Sequence, residues 1–137
     1  MYNKYLPFLI YFIIFSFNIY AQDNNPIDKE LSECMDKNPS TQGNIQCIDK
    51  AYEKWDKQLN DYYQKLLDKL DDKADEKLKE AQRKWIEFRD LEFTNIESIY
   101  SYKDGTMYLP MLALDKMEIV KKRAIELKSY YEILMEY

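Results

Sequence analysis

The sequence predicts an all-α protein: a small antiparallel helical bundle in which one short N-terminal helix precedes three longer helices. Two observations carry that expectation. The 137 residues include a single valine and three threonines, and extensive sheets lean on β-branched residues. Beyond residue 21, glycine and proline occur in only three places: Pro26, Pro39 with Gly43, and Gly105 with Pro110. Between those places apolar residues recur at alternating steps of three and four, the spacing of one helix face. A chain of this length holds one domain.

Composition also narrows the chemistry. The chain has no histidine and only two glycines, so it offers no Ser-His-Asp triad, no histidine-ligated metal and no glycine-rich phosphate loop. Its net charge of −5 argues against nucleic acid, whose binding needs neutralising lysine and arginine. No cofactor or metal is expected, and a binding protein fits better than an enzyme.

Residues 1–21 carry one charge, Lys4, ahead of an apolar run from Tyr5 to Phe17, and end at the small residue Ala21 before a polar stretch. That is the layout of a cleaved secretory signal peptide. An uncleaved anchor is the alternative, but the apolar stretch of about 13 residues is short of the ~20 that span a bilayer. No cysteine lies near the cleavage point, so a lipid-modified cysteine is excluded. The expected domain is then residues 22–137, periplasmic or secreted, with a net charge of −6 and no stable membrane insertion.

In the mature chain, Asn25 is placed to cap a first helix, with Pro26 at its first position and Asp28 in its first turn. This helix is expected to end near Lys37 and to carry Cys34. The segment 38–44 reverses the chain, and Cys47 falls just inside the next helix. In an oxidising compartment these two cysteines read as a disulfide closing a loop of about 14 residues. Free thiols or a metal pair are the competing readings, and a metal pair lacks further soft ligands.

The second helix presents Ile45, Ile48, Tyr52, Trp55, Leu59, Tyr62 or Tyr63, Leu66 and Leu70 on one stripe. A third stretch presents Ala74, Leu78, Ala81, Trp85, Phe88, Ile96 and Ile99. The join between them contains no glycine or proline. One unbroken helix over residues 44–100 is the alternative, but such a rod would be about 85 Å long with an uncovered apolar face. A break capped by Asp71 or Asp72 is preferred. The fourth stretch shows Leu109, Leu112, Val120, Ala124, Leu127, Tyr131 and Leu134, with Thr106 able to cap it and Pro110 tolerated in its first turn.

The run from Cys34 to Leu127 carries a recognisable pattern: the cysteine pair, then Leu59-Asn60-x-x-Tyr63, then Ala81-Gln82-Arg83-x-Trp85-Ile86-x-Phe88-Arg89-Asp90, and finally Arg123 with Leu127. It resembles the N-terminal-domain family of the lysozyme inhibitor LprI, small exported bacterial proteins. The resemblance implies a protein partner, a lysozyme or another peptidoglycan hydrolase, inhibited by direct contact. One departure stands out. Relatives commonly carry a second cysteine pair, and here those places hold Phe93 and a residue near Asp115, so packing must replace the staple.

Each marked residue also has a structural reading. Trp55 and Trp85 lie on apolar stripes and read as core anchors rather than sugar-stacking platforms. Arg83, Arg89 and Arg123, the only arginines beside 17 lysines, read as partners of carboxylates such as Asp56 and Asp90. Their functional reading is a guanidinium reaching into a target's acidic site. The acidic pairs Asp71-Asp72 and Asp75-Glu76, and Glu92 with Glu97, are flanked by lysines and read as solvated faces.

The segment from Tyr100 to Tyr108 is the expected partner contact, comprising Tyr100, Tyr102, Lys103, Asp104, Gly105, Thr106 and Tyr108. Tyrosine buries much area while keeping a polar tip. The competing reading is that Tyr100 and Tyr108 merely cover the end of the bundle. Two other functions stand beside inhibition of a lysozyme: an immunity protein against a wall-degrading toxin, and a non-inhibitory envelope module.

Overall fold

The computed structural model describes residues 25–136. The expected signal peptide, residues 1–21, lies outside the described residues. Four helices follow in order: α1 (Pro26–Lys37), α2 (Thr41–Leu67), α3 (Asp72–Tyr100) and α4 (Tyr108–Met135). No strand occurs among the described residues, and none of these helices is long and apolar enough to cross a membrane.

Three of the helix starts are set by side-chain caps. Asn25 Oδ1 accepts from Ile27 N at 3.0 Å, Ser40 Oγ from Gly43 N at 3.0 Å, and Asp71 Oδ1 from Ala74 N at 2.9 Å. Each satisfies one of the donors that a helix start leaves free. The Asp71 cap breaks the long apolar run into α2 and α3, as expected. Helix α2 starts earlier than expected, at Thr41, so the reversal shrinks to Asn38–Ser40. Gly43 permits this tight turn, because a Cβ there would lie 2.6 Å from the Asn38 carbonyl oxygen.

Thr106 does not cap α4 with its side chain. Its backbone carbonyl instead accepts from Leu109 N at 3.2 Å, and the helix begins at Tyr108 without a side-chain cap. Pro110 sits in the first turn, where its missing N–H costs little.

The core lies between α2 and α4. Ile48, Ala51, Trp55, Leu59 and Leu66 from α2 meet Met117, Val120, Ala124 and Leu127 from α4, all essentially inaccessible to water. These two helices run parallel, since Tyr62 packs on Tyr131 near both C-terminal ends, with ring centroids 5.8 Å apart. Helix α3 runs antiparallel to both, with Tyr52 against Phe93 and an ion pair between Glu97 and Lys116. It approaches α4 and α2 far less closely than they approach each other.

Helix α1 folds back on α2 and contributes no buried residue of its own. The Cys34–Cys47 disulfide holds it, with Cα atoms 5.7 Å apart. Ion pairs Glu30–Lys54 and Asp28–Lys121 tie its other end, and the Lys121 ammonium lies over the Trp55 ring.

Two apolar stripes are less buried than expected. On α3, Leu78, Trp85 and Phe93 pack against the core, but Ala81, Phe88 and Ile99 are exposed. On α4, Leu109 and Leu134 are exposed while Val120, Ala124 and Leu127 are fully buried.

Candidate functional site

The α3–α4 hairpin gathers most of the residues singled out from sequence. Helix α3 closes with Ser101 N donating to Glu97 O at 3.0 Å, and Lys103 N donates to Tyr100 O at 2.9 Å. The turn reverses at Gly105, whose φ of 103° is a left-handed conformation that favours glycine. Nothing lies within 4 Å of the point where a Gly105 side chain would begin.

All residues from Ser101 to Met107 are exposed, and Tyr102 is 87% accessible. Directly below, Tyr100 OH donates to Asp115 Oδ2 at 2.7 Å, and the Tyr100 and Tyr108 rings pack with centroids 6.4 Å apart. This hydrogen bond, with burial adding to it, raises the Tyr100 phenol above the ordinary tyrosine range. The base of the hairpin is thus held by specific contacts, while its tip displays an aromatic ring and an ammonium group to solvent.

The expected contact residues divide into two sets. Tyr100, Lys103 and Tyr108 come together with Ile96, Ile99, Met111 and Asp115 around a mostly apolar hollow of about 320 Å³. Tyr102, Asp104, Gly105 and Thr106 lie at the exposed tip and do not line that hollow.

The motif residues are chiefly structural. Leu59 is buried, Tyr63 packs against the core, and Asn60 Nδ2 donates to Asp56 O at 2.8 Å and to Asp56 Oδ2 at 3.1 Å. Arg89 donates from Nε and Nη2 to Asp90 Oδ1, at 2.9 and 2.7 Å. Asp56 is therefore taken up by Asn60, and Asp90 is the carboxylate that pairs with Arg89. Arg83 is exposed.

Arg123 pairs with neither expected aspartate. It is buried and donates from Nε to Gln82 Oε1 at 3.0 Å and from Nη1 to Glu126. The Arg123 and Arg89 guanidiniums lie 5.9 and 5.6 Å from the half-buried Trp85 ring. Gln82, the single buried residue of α3, thus forms the polar tie between α3 and α4. Phe93 packs against Tyr52, Arg89 and Lys116.

The sequence reading missed a groove that continues from the hollow along the outer side of α3 and α4. Its volume is about 740 Å³, and it is lined by Trp85, Phe88, Glu92 and Ile96 from α3 and by Asp115, Glu118, Ile119, Lys122, Arg123 and Glu126 from α4. The available signal was on α4, where Met111 and Ile119 fall outside the face that carries Val120 and Ala124.

A family model described as lysozyme inhibitor LprI matches residues 34–127. The fold is also similar to the crystal structure of an uncharacterised protein from Burkholderia thailandensis, with a TM-score of 0.75 and 29% sequence identity. That match covers 82% of this chain and 56% of the other, so the present chain spans little more than half of its solved relative. No curated protein matches the chain.

Proposed function

This chain belongs to the lysozyme inhibitor LprI family, and on that premise we propose that it is a periplasmic or secreted protein that inhibits a peptidoglycan-cleaving lysozyme by direct contact. The observation that carries the reading is the α3–α4 tip, a solvent-facing Tyr102-Lys103 pair set on a base fixed by Tyr100 and Asp115. Lysozyme-type glycosidases work with two carboxyl groups flanking the scissile bond. An ammonium or phenol group placed between them would pair with the ionised carboxylate and occupy the sugar's position. The exported charge of −6 steers the protein toward a basic enzyme.

Purified, oxidised protein should slow cell-wall lysis by at least one lysozyme at micromolar concentration. Replacing Tyr102 and Lys103 together by alanine should weaken that inhibition at least tenfold without changing helical content. If no lysozyme is bound or slowed, the inhibitory function is wrong. If inhibition survives the double substitution, the function stands and the tip is not its contact.

A further inference from the structure

Helix α4 carries apolar side chains outside its seam face as well as on it. Val120, Ala124 and Leu127 are consumed by the seam with α2, whereas Ile119 and Met111 line the outer groove and hollow. Across that groove α3 presents Trp85, Phe88 and Ile96, at steps of three and eight residues. From Glu126 to Tyr108 the α4 wall runs 19 residues, or about 27 Å at the helical rise. Two helices lying side by side, with a trough between them that mixes apolar and charged side chains, match the ridges of a third helix.

The rim decides what that third helix carries. Four carboxylates, Glu92, Asp115, Glu118 and Glu126, line the groove against two cations, Lys122 and Arg123, and Lys103 stands at its hollow end, so the rim is net acidic. A second copy docking the same face would set these carboxylates against their own equivalents. Residues 1–24 bring only one lysine and one aspartate, too few charges for a basic face. A helix with an apolar stripe flanked by lysine or arginine would bury the trough and pair with the rim.

We propose that the α3–α4 groove is a docking site for a cationic amphipathic helix of a partner protein. The site is separate from Tyr102, takes in Lys103 only at its hollow end, and does not depend on the partner being a lysozyme. Part of its wall is Trp85, whose indole changes environment on docking, whereas Trp55 is fully buried in the seam.

The test uses an 18-residue peptide with leucines at helical spacing and lysines elsewhere, and a counterpart with glutamates replacing the lysines. Titrated into the oxidised protein, the lysine peptide should shift tryptophan emission and bind at least tenfold tighter than the glutamate peptide. Trp85→Phe should abolish the emission change. Phe88→Lys and Ile119→Lys should each weaken binding at least tenfold. Leu91→Lys, on the solvent side of α3 and 72% exposed, should leave it unchanged, as should Tyr102→Ala. Phe88 is already 53% exposed, so its variant keeps the test decisive if Ile119→Lys loses helical content. Equal binding of both peptides, or equal affinity across the groove and control variants, overturns the proposal. So does a dimer in sedimentation that Phe88→Lys dissolves, because the occupant would then be a second copy.

Discussion

Helices α2 and α4 supply every fully buried apolar side chain among the described residues, whereas α3, at 29 residues the longest, buries only Gln82. The seam between α2 and α4 is parallel, close and almost wholly apolar. The face between α3 and α4 is wider, crossed by one buried polar tie, and leaves Phe88 and Ile99 more than half exposed. Burial at roughly 25 cal/mol per Å² of apolar surface stabilises the fold chiefly through the seam. The difference teaches that stability and recognition are divided by helix: the seam holds the fold, and α3 holds a surface the fold does not use.

The largest expected effect comes from the seam. Trp55 is fully buried, and Trp55→Ala should cost about 3–5 kcal/mol through lost transfer and a residual cavity. Phe88→Ala, an aromatic deletion on the other face, should stay within ~0.5 kcal/mol, as surface changes usually do. Urea denaturation midpoints measure both. Similar losses from the two would abolish the contrast between seam and groove.

Next in size is the disulfide, which serves a helix the seam cannot hold. Helix α1 contributes no fully buried residue, and Ile27, Leu31 and Met35 only partly cover the core, so its attachment rests on that packing together with a covalent link and two ion pairs. Changing Cys34 and Cys47 together to alanine should cost roughly 3 kcal/mol on the loop-closure estimate. Hydrogen exchange should show α1 losing protection first while α2 and α4 keep theirs. Uniform loss across all four helices would mean that α1 is integral to the core.

The tie between α3 and α4 should rank third. Arg123→Met leaves buried Gln82 without its donor, which should cost about 1–3 kcal/mol. Adding Gln82→Met should restore part of that loss, because neither partner is then left unsatisfied. If the second substitution worsens stability instead, the pair acts through shape rather than through the hydrogen bond.

Sequence order and local chemistry carried much of this architecture. The asparagine and aspartate caps, the proline at the first position of α1 and the stripe of α2 each depend on neighbours within a few residues, so they could be read directly. The cysteine pairing followed from there being only two. What escaped depends on distant partners. The α3 stripe from Ala74 to Ile99 reads as one apolar face, yet it straddles two: Leu78 and Trp85 turn to the core, while Phe88 and Ile99 turn outward. Helical spacing marks which residues are neighbours and not how wide a gap they face. Arg123 was expected to meet Asp56 or Asp90, and only the crossing of α3 and α4 puts Gln82 and Glu126 within its reach. At the tip, the exposure of Tyr102 and Lys103 was foreseeable from the glycine turn, whereas the bond from Tyr100 to Asp115 joins residues 15 apart.

The smallest expected effect concerns that bond, and it tests whether the tip's base is distinct from the seam in kind as well as in strength. The seam's fully buried side chains carry no group that titrates, but Tyr100 holds Asp115 through its phenol proton. The hydrogen bond raises the folded-state value of Tyr100 above the ordinary range near 10. A raised value means that the protonated form is favoured by folding. Its contribution is therefore complete below the unfolded-state value and lost as pH rises through the folded one. Near-ultraviolet titration should show three tyrosines, Tyr52, Tyr100 and Tyr130, ionising later than the ordinary range, and Asp115→Asn should bring the Tyr100 step back down. Tyr100→Phe should remove that late step and make the turn at 101–107 exchange faster, while protection of α2 and the seam half of α4 stays constant. Faster exchange spreading into the seam would mean that the tip and the core form one cooperative unit, and the division of labour between the helices would fail.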